Sequence, residues 1–269
     1  MSGPRWHDAT AAGAPPAPVV LVLGGFITSP PMYRGLAREL CGRGAADVVV
    51  APVWTMDWLL AARRGLGPIL MRSGRALLEA SRRSEAVAMG APVLVVGHSA
   101  GGVSARLLTS PVPFAGRRLN AAARIGAIAT LGTPHLVAAP APGRPGIGAE
   151  NAQFANAHVP GPWFAPTTGY LAVGSRRRVG RRDGTPAERR IWRAYRTLSG
   201  SEADVLEGDG LIPLVSALLP GAETMVFDDA AHGQGPGRDW YGSARFVDEW
   251  WPRAMEAWRA ALRARVERG

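Results

Sequence analysis

Pro92-Val93-Leu94-Val95-Val96-Gly97-His98-Ser99-Ala100-Gly101-Gly102 is the stretch whose reading decides the fold. Its first half is continuously apolar. Such runs, unlike alternating ones, suit a strand buried on both faces of a parallel sheet. The run leads straight into a glycine-flanked serine. A helical pattern follows through Val103 and Leu107 to Thr109, and Pro111 and Pro113 end it. In a chain with 34 glycines the five-residue pattern around Ser99 is a weak signal alone. Its position between a buried strand and a helix strengthens it. A turn that sharp strains the serine backbone and lifts its hydroxyl to the C-terminal edge of the sheet. There the following helix offers unpaired N–H groups and a positive field.

The flanking sequence repeats the strand–helix alternation. Val19 to Leu23 reads as a buried strand, Met32 to Leu40 as a helix and Asp47 to Ala51 as a second strand. Thr55 to Met89 is helical with an interruption at Gly65-Leu66-Gly67-Pro68. Arg124 to Leu131, Tyr170 to Val173 and Glu223 to Phe227 are further strands. Helices are predicted over Pro186 to Leu198, Leu211 to Leu219 and Arg238 to Arg265, the last broken or kinked at Pro252. This order implies a mostly parallel central sheet with helices on both faces. Residues 1–17, rich in Ala, Pro and Gly, read as a flexible tail before a single domain over 18–269. Residues 136–168 look like a long loop-rich excursion, expected to serve as a cap or lid, and 175–208 like a second insertion.

Composition narrows the function classes. Cys41 is the one cysteine, read as a small residue at a helix end, so no internal disulfide forms, and no zinc-ligand spacing is present. The N-terminus lacks the apolar core of a signal peptide, and no segment is long and apolar enough to span a bilayer. A cytoplasmic location is the resulting expectation. The formal charge is +10, and all 31 basic residues are arginine. They are scattered apart from a knot at Arg176-Arg177-Arg178 and Arg181-Arg182. No aromatic interleaving accompanies the knot, which argues against nucleic acid. An anionic membrane surface or an acidic partner remains a candidate for peripheral contact.

A serine hydroxyl needs a base, and the base needs an orienting acid. Of the five histidines, His7 lies in the tail, His98 in the turn, His135 after a strand and His158 in the excursion. His232 lies just past the last strand in a glycine-flanked loop and is the expected base. Asp209, in Gly208-Asp209-Gly210, is the expected acid, with Asp204 and Glu207 as alternatives and a helix N-cap as its plain structural role. The expected oxyanion donors are the amides of Ala100 and Phe26, with Gly25 as second choice. Trp54, Trp58, Trp163 and Phe164 could line or cover an acyl pocket, or simply pack.

Taken together and in order, four pieces resemble the lipase-type α/β hydrolases, including bacterial lipases and inositol-deacylase relatives. They are Gly24-Gly25-Phe26 with Tyr33, Gly97 to Gly102, Leu131-Gly132-Thr133-Pro134-His135, and Asp209 to Pro213 with His232. The family usually has a histidine where this chain has Gly24. The resemblance implies an α/β-hydrolase fold and cofactor-free hydrolysis of a small-molecule or lipid ester. Ser99, His232 and Asp209 would act in that chain order. An acyltransferase using the same three residues, or a binding protein that kept only the shape, are the competing expectations.

Overall fold

The computed structural model of the chain describes residues 6–139, 149–235, 237 and 239–268. Six parallel strands form one open sheet in the order β2-β1-β3-β4-β5-β8. They are β1 (Val19–Leu23), β2 (Asp47–Val50), β3 (Val93–His98), β4 (Ile125–Leu131), β5 (Gly169–Ser175) and β8 (Glu223–Phe227). The continuous apolar runs fall on β1, β3 and β4 because both sheet faces are covered there. Along β1, Val20 and Val22 join one core cluster, while Val19, Leu21 and Leu23 join the other. The first cluster lies under α1 (Trp6–Ala11), α2 (Arg34–Gly42) and α9 (Ala244–Val266). The second is covered by α3 (Thr55–Arg64), α4 (Gly67–Val87) and α5 (Ala100–Thr109).

The topology locates the site. The chain leaves β1 for β2 on one side and returns to β3 on the other, so the strand order reverses between β1 and β3. Open parallel sheets place their crevice at such a reversal, beyond the C-terminal strand ends. The register sets Leu23 beside Gly97, and His98 beside Leu131. The loops after β1, β3 and β4 therefore leave the sheet edge together.

Several elements differ from the sequence expectation. The expected flexible tail contains α1, whose Trp6 is buried against the first cluster. Helix α9 runs through Pro252 without interruption. Its buried face carries Trp250, Trp251 and Trp258, and this burial offsets the proline's cost of about 3 kcal/mol. The excursion contains a helix, α6 (Ala149–His158), packed on the side of α5, while residues 140–148 of that predicted lid lie outside the described residues. The second insertion is a small layer of its own. Strands β6 (Arg178–Arg181) and β7 (Val205–Gly208) pair antiparallel under α7 (Pro186–Ser199). Short helix α8 (Leu214–Ala217) then leads to β8. Cys41 sits in the last turn of α2. Among the described residues no helix is long and apolar enough to cross a membrane.

Trp258 is fully buried, and its indole N–H donates to the Pro92 carbonyl at 2.7 Å. It thereby anchors α9 to the start of β3. Trp258→Ala is expected to cost about 3–5 kcal/mol of stability. Urea unfolding checks this, and a loss under about 1 kcal/mol would show that α9 contributes little to the core.

Candidate active site

Ser99 immediately precedes α5, at its N-cap, with φ 53° and ψ −128°, a conformation that side-chain-bearing residues adopt at a cost of about 1–3 kcal/mol. Close packing holds it there. A Cβ on Gly97 would lie 2.4 Å from Gly102 Cα, and one on Gly101 would lie 2.1 Å from the Leu23 carbonyl oxygen. Strand and helix meet at the turn because neither glycine carries a side chain. The Ser99 amide donates to the Leu131 carbonyl, which fixes the turn to the end of β4.

The predicted acid and base converge on this serine. His232 Nδ1 lies 2.8 Å from Asp209 Oδ2, and His232 Nε2 lies 3.1 Å from Ser99 Oγ. A carboxylate only accepts hydrogen bonds, so Nδ1 carries the proton and Nε2 is free to accept the serine proton. Asp209 is 3% exposed and fully engaged. Its Oδ1 accepts from the Leu211 and Ile212 amides, and its Oδ2 accepts from His232 and from the Tyr241 hydroxyl at 3.0 Å. The local capping role and the histidine contact thus coexist, one on each oxygen. Burial, then the charge of Asp209, raises the Tyr241 pKa well above its ordinary value, so this hydroxyl stays a donor. Gly132 has φ +54°, and a Cβ there would meet Asp209 Oδ2 at 2.7 Å and His232 Nδ1 at 3.2 Å. The acid–base pair occupies the space that this glycine leaves open.

A second set of bonds joins the loops. His98 Nε2 donates to the His232 carbonyl at 2.7 Å, an assignment forced by the carbonyl being an acceptor. Its Nδ1 is then bare and accepts from the Tyr33 hydroxyl at 2.9 Å. Tyr33 in turn accepts from the Gly25 amide at 2.8 Å. Burial, followed by the nearby His232 charge, pushes the His98 pKa down to about 3, so the ring stays neutral. The Gly25 amide is committed to Tyr33, which leaves the Phe26 amide, with that of Ala100, as the candidate oxyanion donors.

A cavity of about 180 Å³ opens at Ser99, lined among others by Phe26, Met32, Tyr33, Leu211 and Trp240. Of the four aromatic residues singled out in the sequence, none lines it. Trp58 is buried edge-on against Phe26, with ring centroids 5.6 Å apart. Trp54 and Trp163 are exposed, and Phe164 packs with the cluster between α5 and α6. Trp240, which lines the cavity, and Tyr241, which reaches Asp209, precede α9 with no local sequence motif to mark them. His135 lies away from the serine, with Nε2 3.0 Å from Thr130 Oγ1 and Nδ1 toward Arg106. It is buried and held neutral by burial and then by the Arg106 charge.

Neither a family model nor a curated protein matches the chain. Solved structures do. The mature form of lipase BlEst2 from Bacillus licheniformis superposes with a TM-score of 0.56 at 16% identity, over 91% of this chain and 93% of that one. Its propeptide form gives 0.55 at 14% identity, over 90% of this chain; the match covers half the length of that form. At these identities the likeness establishes the architecture, and the chain has the α/β-hydrolase fold that the sequence motifs implied.

The neutrality of His98 has a consequence for stability. Between pH 6.5 and about 3 the unfolded chain takes up a proton that folded His98 refuses. Stability therefore falls as pH drops through that window, and His135 adds to the slope. His98→Gln can still donate to the His232 carbonyl and accept from Tyr33, and it is expected to flatten the slope. Urea unfolding at stepped pH from 7 to 4 checks this; parallel slopes in wild type and variant would contradict it.

Proposed function

We propose that the chain is a serine hydrolase that cleaves a carboxylic ester of an apolar acyl group through an acyl-enzyme. The observation that supports this most is the continuous contact from Asp209 to His232 to Ser99. In the proposed reaction Ser99 Oγ attacks the ester carbonyl while His232 Nε2 takes its proton. Asp209 holds the imidazole and stabilises its cation. The Phe26 and Ala100 amides receive the oxyanion, with the field of α5 behind the latter. The C–O bond to the alcohol breaks, and His232 returns the proton to the leaving oxygen. Water, deprotonated by His232, then attacks the acyl carbonyl, and Ser99 leaves with the proton.

The small cavity at Ser99 fits a short acyl chain better than a long one, since sites for larger ligands run to roughly 300–1,000 Å³. Exposed Phe26, Ile27, Met32 and Trp54 lie on the oxyanion loop and at the entrance to α3, and they favour an apolar substrate.

Ser99→Ala is expected to abolish turnover of 4-nitrophenyl butyrate. Asp209→Asn is expected to lower kcat by about 10³–10⁴-fold with the fold retained. A Ser99→Ala enzyme with unchanged turnover would overturn the reading. In a nitrophenyl ester series, butyrate is expected to exceed palmitate in kcat/KM.

A further inference from the structure

The arginine knot has a structural counterpart beside the site. A cavity of about 510 Å³ adjoins the one at Ser99 and shares Leu211, His232 and Gly233 with it. Its outer wall comes from the β6–α7–β7 insertion and carries Arg177, Arg178 and Arg190. Asp209 is the one acid among its lining residues, and both its oxygens are occupied by His232, Tyr241 and two backbone amides.

The pairing of arginines on this insertion is uneven. Arg176 pairs with Asp228, Arg181 with Glu188, Arg182 with Asp204, and Arg196 with Glu202. Among the described residues, no carboxylate pairs with Arg177, Arg178 or Arg190, the three that line the cavity. Arg189 and Arg193 on α7 also lack a carboxylate partner among the described residues, so position is what sets the three apart: they share one concave wall. A cleft with one sign of charge concentrates ligands of the opposite sign. Guanidinium forks match the oxygens of carboxylate and phosphate.

Placement assigns this wall to one half of an ester. The leaving oxygen must lie where His232 can protonate it, and His232 with Gly233 borders both cavities. We infer that the arginine-lined cavity binds an anionic group, a carboxylate or phosphate, carried by the alcohol half of the ester. The apolar cavity at Ser99 takes the acyl half. The placement of the two halves rests on the proposed hydrolysis; the anion site itself does not. The second insertion, rather than the first, then sets substrate choice.

The test combines binding and turnover. Phenyl phosphate, a phosphate monoester with no acyl group for this chemistry, is titrated calorimetrically into the wild type and into Arg177→Gln/Arg178→Gln/Arg190→Gln. In parallel, 4-carboxyphenyl butyrate is compared with its neutral analogue 4-carbamoylphenyl butyrate. Phenyl phosphate is expected to bind the wild type about tenfold or more tightly than the variant. The wild type is expected to show a KM about tenfold lower for the carboxylate ester, and the variant to lose that preference while turning over the neutral ester as before. Rising salt is expected to erase the wild-type preference, a readout that holds even if the triple variant fails to fold. Phenyl phosphate binding that depends on the arginines, with neither ester cleaved, would uphold the anion site and overturn the hydrolase reading. Equal use of both esters with no phenyl phosphate binding would overturn the anion site and leave the hydrolase reading intact. Arginine-dependent binding to phosphatidylglycerol vesicles without phenyl phosphate binding would also overturn it, in favour of surface docking.

Discussion

The structure depends on one constrained backbone position. Ser99 adopts a left-handed conformation that is unfavourable for a residue with a Cβ, and it does so between a fully buried strand and a helix buried from Gly101 to Thr109. The strain persists because Gly97 and Gly101 let β3, α5 and the end of β1 approach closely enough to hold it. The neighbouring elements are arranged around the hydroxyl that this turn presents. The field of α5 lies behind it, the loop after β1 beside it, and the Asp209–His232 pair in front.

Two layers of hydrogen bonding bring distant segments to that point. The inner layer runs from Asp209 through His232 to Ser99. The outer layer runs from Gly25 through Tyr33 and His98 to the His232 backbone. Because His98 contacts the carbonyl of His232 and not its ring nitrogens, it fixes where the histidine loop sits while leaving those nitrogens to Asp209 and Ser99. Tyr195 plays a similar part on the acid side: its hydroxyl accepts from the Gly210 amide and ties α7 to the loop that carries Asp209. The β6–α7–β7 insertion is thus both a brace for the acid and a wall of the neighbouring cavity.

Much of this was legible in the chain because burial on two faces leaves a strong mark. The continuous runs at Val19–Leu23, Val93–Val96 and Ile125–Leu131 cannot sit at a surface, and their spacing leaves room for crossover helices. The meeting of Ser99, Asp209 and His232 was legible because each lies in a loop that follows a strand, β3, β7 and β8 respectively. Strands β6 and β7 were not, since their pairing spans a helix and no hairpin turn announces it. Nor was α1, whose helix is stabilised by docking Trp6 on a partner some 240 residues away (about the separation of α1 and α9). Which aromatic residues border the cavity at Ser99 was left open by the sequence for a related reason. Trp54, Trp58 and Trp163 were conspicuous by type, but which tryptophan faces the serine depends on how the loop before α9 folds back, and Trp240 holds that place. Pro252 reads as a break from local propensity alone, and the tryptophan-rich face that α9 buries keeps the helix continuous through it.

The central claim is that Ser99 is activated by its neighbours and is therefore unlike every other serine in the chain. Labelling the native protein with a fluorophosphonate and locating the adduct by peptide mass spectrometry tests this directly. A single adduct on Ser99, lost on prior denaturation, is the predicted result. No adduct, or one on another residue, would contradict the account.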